Sequence, residues 1–260
     1  MTWSQMEPLL TQALGETLRM VAWSTVIAVA AGLPVGVLLV LTDRGGLLRN
    51  VAVNRVLGVV VNVGRSLPFV ILMVALLSFT RAIVGTTIGW QAAVVPLSVG
   101  AVPFFARLVE TAVREVDEGL VEAVRAMGGS TWTVVRKVLL PESLASLLAG
   151  ATTTVIALIG YSAMAGVVGG GGLGDLALRY GYQRFETRFM WVIVAVLVVL
   201  VTLVQLAGDL AARSAARRGG RGPSPRLRLP RPRTATPAAA QTSGTPDLPA
   251  GEAANAPDPA

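Results

Sequence analysis

Four stretches of the chain carry no charged side chain: residues 20–41, 89–106, 144–168 and 189–208. Each reaches or exceeds the roughly 18 apolar residues that mark a helix able to cross a bilayer. They contain Gly32, Pro34, Gly36, Pro96 and Pro103. Membrane helices tolerate such breakers because neighbouring helices satisfy the freed backbone groups. A fifth stretch, 56–79, is apolar except for Asn62 and Arg65. Residues 66–79 alone would rise only about 21 Å, short of a bilayer core of roughly 30 Å. The span therefore either includes Arg65 near one end or starts from an interfacial helix over about 50–64. The pattern predicts an all-α membrane protein with five transmembrane helices over 17–212, preceded by an external segment, 1–16. Near a helix end, Arg65 would reach the headgroups by snorkelling.

Composition agrees: mean hydropathy is +0.64, with 53% hydrophobic and 14% charged residues in 260. A soluble domain of this size carries more charge. With no Cys and no His, disulfides, thiolate metal sites, catalytic thiols and imidazole bases are excluded. No carboxylate cluster suggests a metal. Residues 1–19 hold Glu7, Glu16 and one base, Arg19, which is unlike the basic start of a cleaved signal peptide.

Charge sets the expected orientation. With five crossings and the C-terminus inside, 16 Lys and Arg fall in cytoplasmic segments and 5 in external ones, leaving Arg65 uncounted. The positive-inside rule then places the N-terminus outside and the C-terminus in the cytoplasm. Eight arginines sit in 213–260, a stretch rich in Pro, Ala and Gly with almost no large apolar residue after Leu229. Such a tail cannot bury enough surface to offset its ordering entropy and is expected to be disordered. Its basic half suits anionic lipid. It lacks the aromatic residues that would interleave in a nucleic-acid site, so no nucleic-acid partner is expected.

The longest polar segment before the tail, 107–143, falls on the cytoplasmic side. Within it Leu120, Val121, Val124 and Met127 share one helical face, and Glu118, Glu122 and Arg125 another. Asp117 is placed to cap this helix and Gly128 to end it; Ser130 can cap a second helix, 131–140, that Pro141 ends. Such an elbow is either a docking surface or an amphipathic connector lying on the membrane, and periodicity leaves both open.

Glu122-Ala123-Val124, three residues, Gly128, nine residues, then Val138-Leu139-Leu140-Pro141 resembles the loop signature of ABC importer permeases. Val124 and Val138 are conservative departures from it. The resemblance implies a type I importer permease fold whose coupling-helix loop, about 110–141, seats in a groove of an ATPase subunit. Glu122, Ala123, Arg125, Gly128 and Pro141 are then the ATPase-coupling candidates. The chain has no phosphate-binding loop of its own. Under this reading ATP and Mg are used by a separate ATPase subunit pair, and this chain binds no cofactor and is not itself an enzyme.

Gly169, Gly171 and Gly174 fit the spacing of a dinucleotide fingerprint, but a membrane helix rather than a strand precedes them, so that reading fails. These glycines end a span and let backbone segments pack closely. Together with Arg65-Ser66-Leu67-Pro68-Phe69 and Gly85-Thr86-Thr87-Ile88-Gly89, the stretch 160–182 resembles the permeases of bacterial methionine uptake systems, over about 15–212. That resemblance implies a homodimeric permease in the inner membrane and an external methionine-binding lipoprotein. Tyr161, Ser162 and Met164 are candidates for lining the translocation path; Met164 offers a polarisable surface to a thioether. The rivals are a permease for another amino acid or small polar solute, an ion-driven carrier, and a non-transport scaffold or membrane enzyme. An ion-driven carrier is expected to show paired repeats and ionisable residues within its spans. The chain shows no internal repeat and embeds only Arg65.

Overall fold

The computed structural model describes residues 3–218. Ten α-helices make up this region: α1 (Trp3–Leu41), α2 (Val51–Ser66), α3 (Phe69–Ala75), α4 (Leu77–Val84), α5 (Trp90–Arg114), α6 (Glu118–Ala126), α7 (Thr131–Val134), α8 (Leu140–Ala165), α9 (Gly172–Leu176) and α10 (Thr187–Arg218). Four continuous helical stretches are long and apolar enough to cross a membrane. The bent pair α2–α3 passes the same test taken together, which brings the crossings to as many as five.

The centre of the bundle is the parallel pair α1 and α5. Gly32 and Gly36, one turn apart on α1, let the backbones approach. A Cβ on Gly36 would fall 2.5 Å from the Ala106 carbonyl oxygen and 2.6 Å from the Val109 Cβ. Small residues at this spacing are the usual means of close helix packing where lipid offers no hydrophobic drive. α8 packs on both helices and α10 packs on α8. Val198, Val199, Leu203, Leu206 and Leu210 of α10 stay exposed, which suits a face turned to lipid.

α1 runs much farther than its uncharged segment. The expected external segment, 1–16, is from Trp3 onward the first part of one 39-residue helix. The reason is packing: Met6 and Ala13 are buried against Leu173, Leu176, Phe189 and Ile193, with Leu9, Leu10 and Leu14 beside them. Glu7 and Glu16 had broken the apolar run without breaking the helix. At the other terminus α10 continues to Arg218, so 213–218 is helical rather than disordered. The expectation for 219–260 lies outside the described residues.

α2 settles the register of the broken span. It is capped by Asn50, whose side chain accepts from the Val53 N–H, and its first turns lie beside the end of α1, where Asn54 Nδ2 donates to the Leu39 carbonyl at 2.7 Å. The chain then bends by 104° at Leu67–Pro68. Leu67 is extended (φ −81°, ψ 127°), as the residue before proline prefers. Just before the bend, Gly64 packs on Pro103, near the middle of the 25-residue α5. Arg65 follows in the last turn of α2, exposed, beside the middle of α5.

Pro141 does not end the helix before it. The chain runs on as one helical stretch from Thr131 to Gly170. A wide turn over Val135–Leu139, in which the Leu140 N–H bonds to the Val135 carbonyl, precedes the proline. This i to i−5 spacing relieves the clash that proline makes with the carbonyl four residues back.

Candidate functional site: an exposed elbow, a glycine-rich re-entrant turn and a cavity between them

The elbow forms by local rules. Asp117 Oδ1 accepts from the Gly119 N–H at 2.7 Å to start α6, and Ser130 Oγ accepts from the Thr133 N–H at 3.3 Å to start α7. Between them Gly128 takes φ +82°, a left-handed value that favours glycine. Val121 and Val124 pack onto the core formed by Val113, Val116, Val134 and Leu139. Leu120 and Met127 of the expected apolar face stay exposed, Met127 at 79%.

Glu122, Ala123, Arg125 and Gly128 are all exposed on the elbow, Glu122 and Arg125 toward the groove behind it. Pro141, also exposed, sits apart at the root of α8. Trp132, 69% exposed, joins Met127 on this surface. Sequence reasoning passed over it, although a tryptophan in a short polar connector was a visible signal. Met127 and Trp132 are apolar anchors without an internal role, the composition expected at the core of a docking surface. Behind the elbow lies a groove of about 540 Å³ that reaches Asp43, Arg114, Glu118, Glu122 and Arg125.

A chain of charges fixes the floor of this groove. Glu110 is 4% exposed and accepts from Arg107 at 2.7 Å and from Arg114 at 2.9 Å. Arg114 also reaches Asp43, in the α1–α2 connection, at 2.8 Å. The Arg44 N–H bonded to the Asp43 carboxylate at 2.8 Å holds that carboxyl below its usual range, against the opposing effect of burial, and Arg114 adds to the lowering.

At the opposite end of the bundle the chain leaves α8, turns back and re-enters as α9. Gly169, Gly171 and Gly172 take φ of +96°, +78° and +74°. A Cβ on Gly166 would overlap the Asp175 nitrogen, and one on Gly174 the Ala163 carbonyl oxygen. α1 clamps this turn: Glu16 accepts from the Gly172 N–H at 2.8 Å and Thr17 Oγ1 from the Leu173 N–H at 2.9 Å. Neither contact could be read from sequence, because 156 residues separate the partners.

The three path candidates do not share a surface. Ser162 is 2% exposed, and its hydroxyl donates to the Ile159 carbonyl at 2.7 Å, so it faces the helix core. Tyr161 is half-buried and stacks on Phe69 with centroids 4.8 Å apart. It lines a cavity of about 170 Å³ that also touches Arg65, Leu72, Gly100 and Phe104. Met164, on the same side of α8 one turn on, is 47% exposed. Among the described residues no group of three or more acidic side chains could hold a metal.

Bent and re-entrant spans around a central parallel pair, with a helical elbow projecting from one end, define a polytopic membrane-embedded transport subunit. Residues 32–218 match the family model described as "Binding-protein-dependent transport system inner membrane component", and the chain belongs to that family. It is 52% identical over 205 residues to the probable D-methionine transport system permease protein MetI of Vibrio cholerae, covering 79% of this chain and 91% of the relative. It is 49% identical over 173 residues to the methionine import system permease protein MetP of Bacillus subtilis, covering 66% of this chain and 78% of that protein. A chain of the inward-facing MetNI methionine ABC transporter superposes with a TM-score of 0.81 at 49% identity, over 83% of this chain and 99% of the other. The type I importer permease fold expected from the loop signature is thereby established.

Proposed function

We propose that this chain is the membrane-spanning permease of an ATP-driven methionine importer, working as a homodimer in the bacterial inner membrane. Relatives at 46–53% identity that bear methionine or D-methionine transport names support the cargo. The exposed elbow carries the reading of mechanism. Ala123 is small enough for close approach, Glu122 and Arg125 offer charge to a partner, and Met127 and Trp132 supply apolar anchors.

In this reading a pair of ATPase subunits, which use ATP and Mg, seats the two elbows. Their closure moves the elbows, and the bundle alternates between inward and outward access. An external methionine-binding lipoprotein delivers cargo at the glycine-rich end. The termini then lie on opposite sides, with the N-terminus outside and the C-terminus in the cytoplasm, as the arginine and lysine distribution indicates. The permease itself catalyses no reaction.

The test is uptake of labelled methionine into liposomes containing this chain, its co-purified ATPase and its carrier. Glu122→Lys combined with Gly128→Pro is expected to abolish ATP-driven uptake, through loss of the ATPase or loss of coupling. Uptake at the unaltered rate in the double variant would remove the coupling assignment. Uptake that survived omission of the ATPase would favour an ion-driven carrier.

A further inference from the structure

Arg65 is an exposed positive charge in the last turn of α2, set beside the middle of α5. Its neighbour Gly64 touches Pro103, from which α5 continues about 20 Å to Trp90 and about 17 Å to Arg114 at 1.5 Å per residue. Charged groups in such places face a protein interior or an aqueous path, and they have a partner. Arg65 has no acidic partner among the described residues.

What Arg65 borders is the cavity of about 170 Å³ with Phe69, Phe104 and Tyr161. The Phe69–Tyr161 stack, with ring planes 10° apart, makes one wall stiff and aromatic. Gly100 leaves room beside this wall; a Cβ there would meet only Leu72 and Phe69, at 3.4 and 3.8 Å. The site thus offers one fixed cation, several ring edges and faces, and no anion. A guanidinium matches a carboxylate through two parallel N–H···O bonds. Ring edges favour a polarisable thioether, and ring faces a cation. A lipid phosphate or an inorganic anion would leave the aromatic wall without use.

We propose that this cavity is a transit site for the amino acid inside the membrane, with Arg65 binding the α-carboxylate and the Phe69–Tyr161 wall receiving the side chain. The proposal rests on the importer reading and adds a second point of selection beyond the external carrier. Arg65 is then a binding residue, and the bend at Leu67–Pro68 is what aims the end of α2 into the bundle.

The chain contains no cysteine, so Gly100→Cys introduces a single thiol into the cavity. In the permease–ATPase complex reconstituted in lipid, methionine is expected to slow alkylation of that thiol. Methioninamide, which lacks the carboxylate, is expected not to. Adding Arg65→Gln should remove the protection by methionine, while Arg65→Lys should keep part of it. Arg65→Gln alone should lower uptake per ATP hydrolysed by about tenfold or more, the scale of losing one side of a desolvated charge pair. Carrier-stimulated ATP hydrolysis should remain.

Equal protection by methioninamide, or protection that survives Arg65→Gln, would overturn the carboxylate contact. A complex that imports methionine with no protection at all would overturn the site and leave the importer standing. Failure of the unaltered complex to import methionine would remove the importer reading, and the proposal with it.

Discussion

The elbow and the glycine-rich turn both depend on glycine, and Gly128 of the one and Gly174 of the other use it in opposite ways. At the elbow a Cβ on Gly128 would meet nothing within 4 Å, and the residue is needed only for its φ of +82°. At the other end a Cβ on Gly174 would run into the backbone of Ala163 and one on Gly166 into that of Asp175. The surrounding residues divide in the same way. Glu122, Ala123, Arg125, Met127 and Trp132 are exposed, while Gly172, Leu173, Gly174 and Leu176 are buried. Side chains left outward without an internal role are free to serve a partner. Glycines wedged between backbones serve the fold. The glycine-rich resemblance is therefore informative about architecture, and only indirectly about cargo.

The largest effect is expected where the glycines have no room. Gly174→Ala should cost about 3 kcal/mol or more, since backbone on both sides has to move. Gly160→Ala, on α8 with nothing within 4 Å, should show no loss and serves as control. Thermal denaturation of the detergent-solubilised chain, followed by size-exclusion chromatography, measures both. Similar melting of the two variants would break the division between the ends.

A somewhat smaller effect, of a different kind, is expected at the elbow. Met127→Asp with Trp132→Ala should weaken binding of the ATPase subunit by about 2 kcal/mol, the scale of an interface hot spot. The melting of the isolated permease should hardly change, because both residues are exposed at 69% or more. Titration of the ATPase onto immobilised permease gives the affinity. A large loss of permease stability instead would mean that these side chains pack internally.

Much of this was legible because the signals are local. Uncharged runs gave the four continuous crossings, and Asp117 and Ser130 were read as caps from chemistry that acts over two or three residues. The failures share a cause. Pro141 looked like a stop, and the wide turn over Val135–Leu139 lets the helix run through it. The first turns of α1 were lost because Glu7 and Glu16 interrupt the apolar pattern, yet Glu16 has a partner in the Gly172 N–H. Adjacency of Tyr161, Ser162 and Met164 in sequence could not tell that Ser162 turns inward while Tyr161 and Met164 stay on one side of α8.

Gly128→Ala sharpens the comparison from the elbow's side. No atom obstructs the new methyl group, so the cost is that of a left-handed conformation alone, about 1–2 kcal/mol. It should appear as a looser elbow, with weaker ATPase binding and little change in the melting of the bundle. Gly128→Asn, which tolerates this conformation better, should recover part of the affinity.

The smallest effect belongs to the contact beneath the elbow. Asp43 holds the α1–α2 connection to Arg114 at 2.8 Å, and its side chain is 34% exposed, so solvent screens much of the pair. Asp43→Asn should lower stability by about 0.5 kcal/mol at neutral pH. The sign with pH follows from the lowered folded-state pKa. The stabilisation is fully present above the ordinary carboxylate range and is lost only as pH falls through the depressed value. The gap in melting temperature between the unaltered chain and Asp43→Asn should thus stay constant from pH 7 to about pH 5 and close below about pH 4. ATPase affinity should not follow it, because Asp43 lies on the groove floor rather than on the outer surface that Met127 and Trp132 share. If Asp43→Asn weakened docking as much as the Met127 and Trp132 changes do, the groove would belong to the partner's footprint. The elbow would then be only the rim of a larger site.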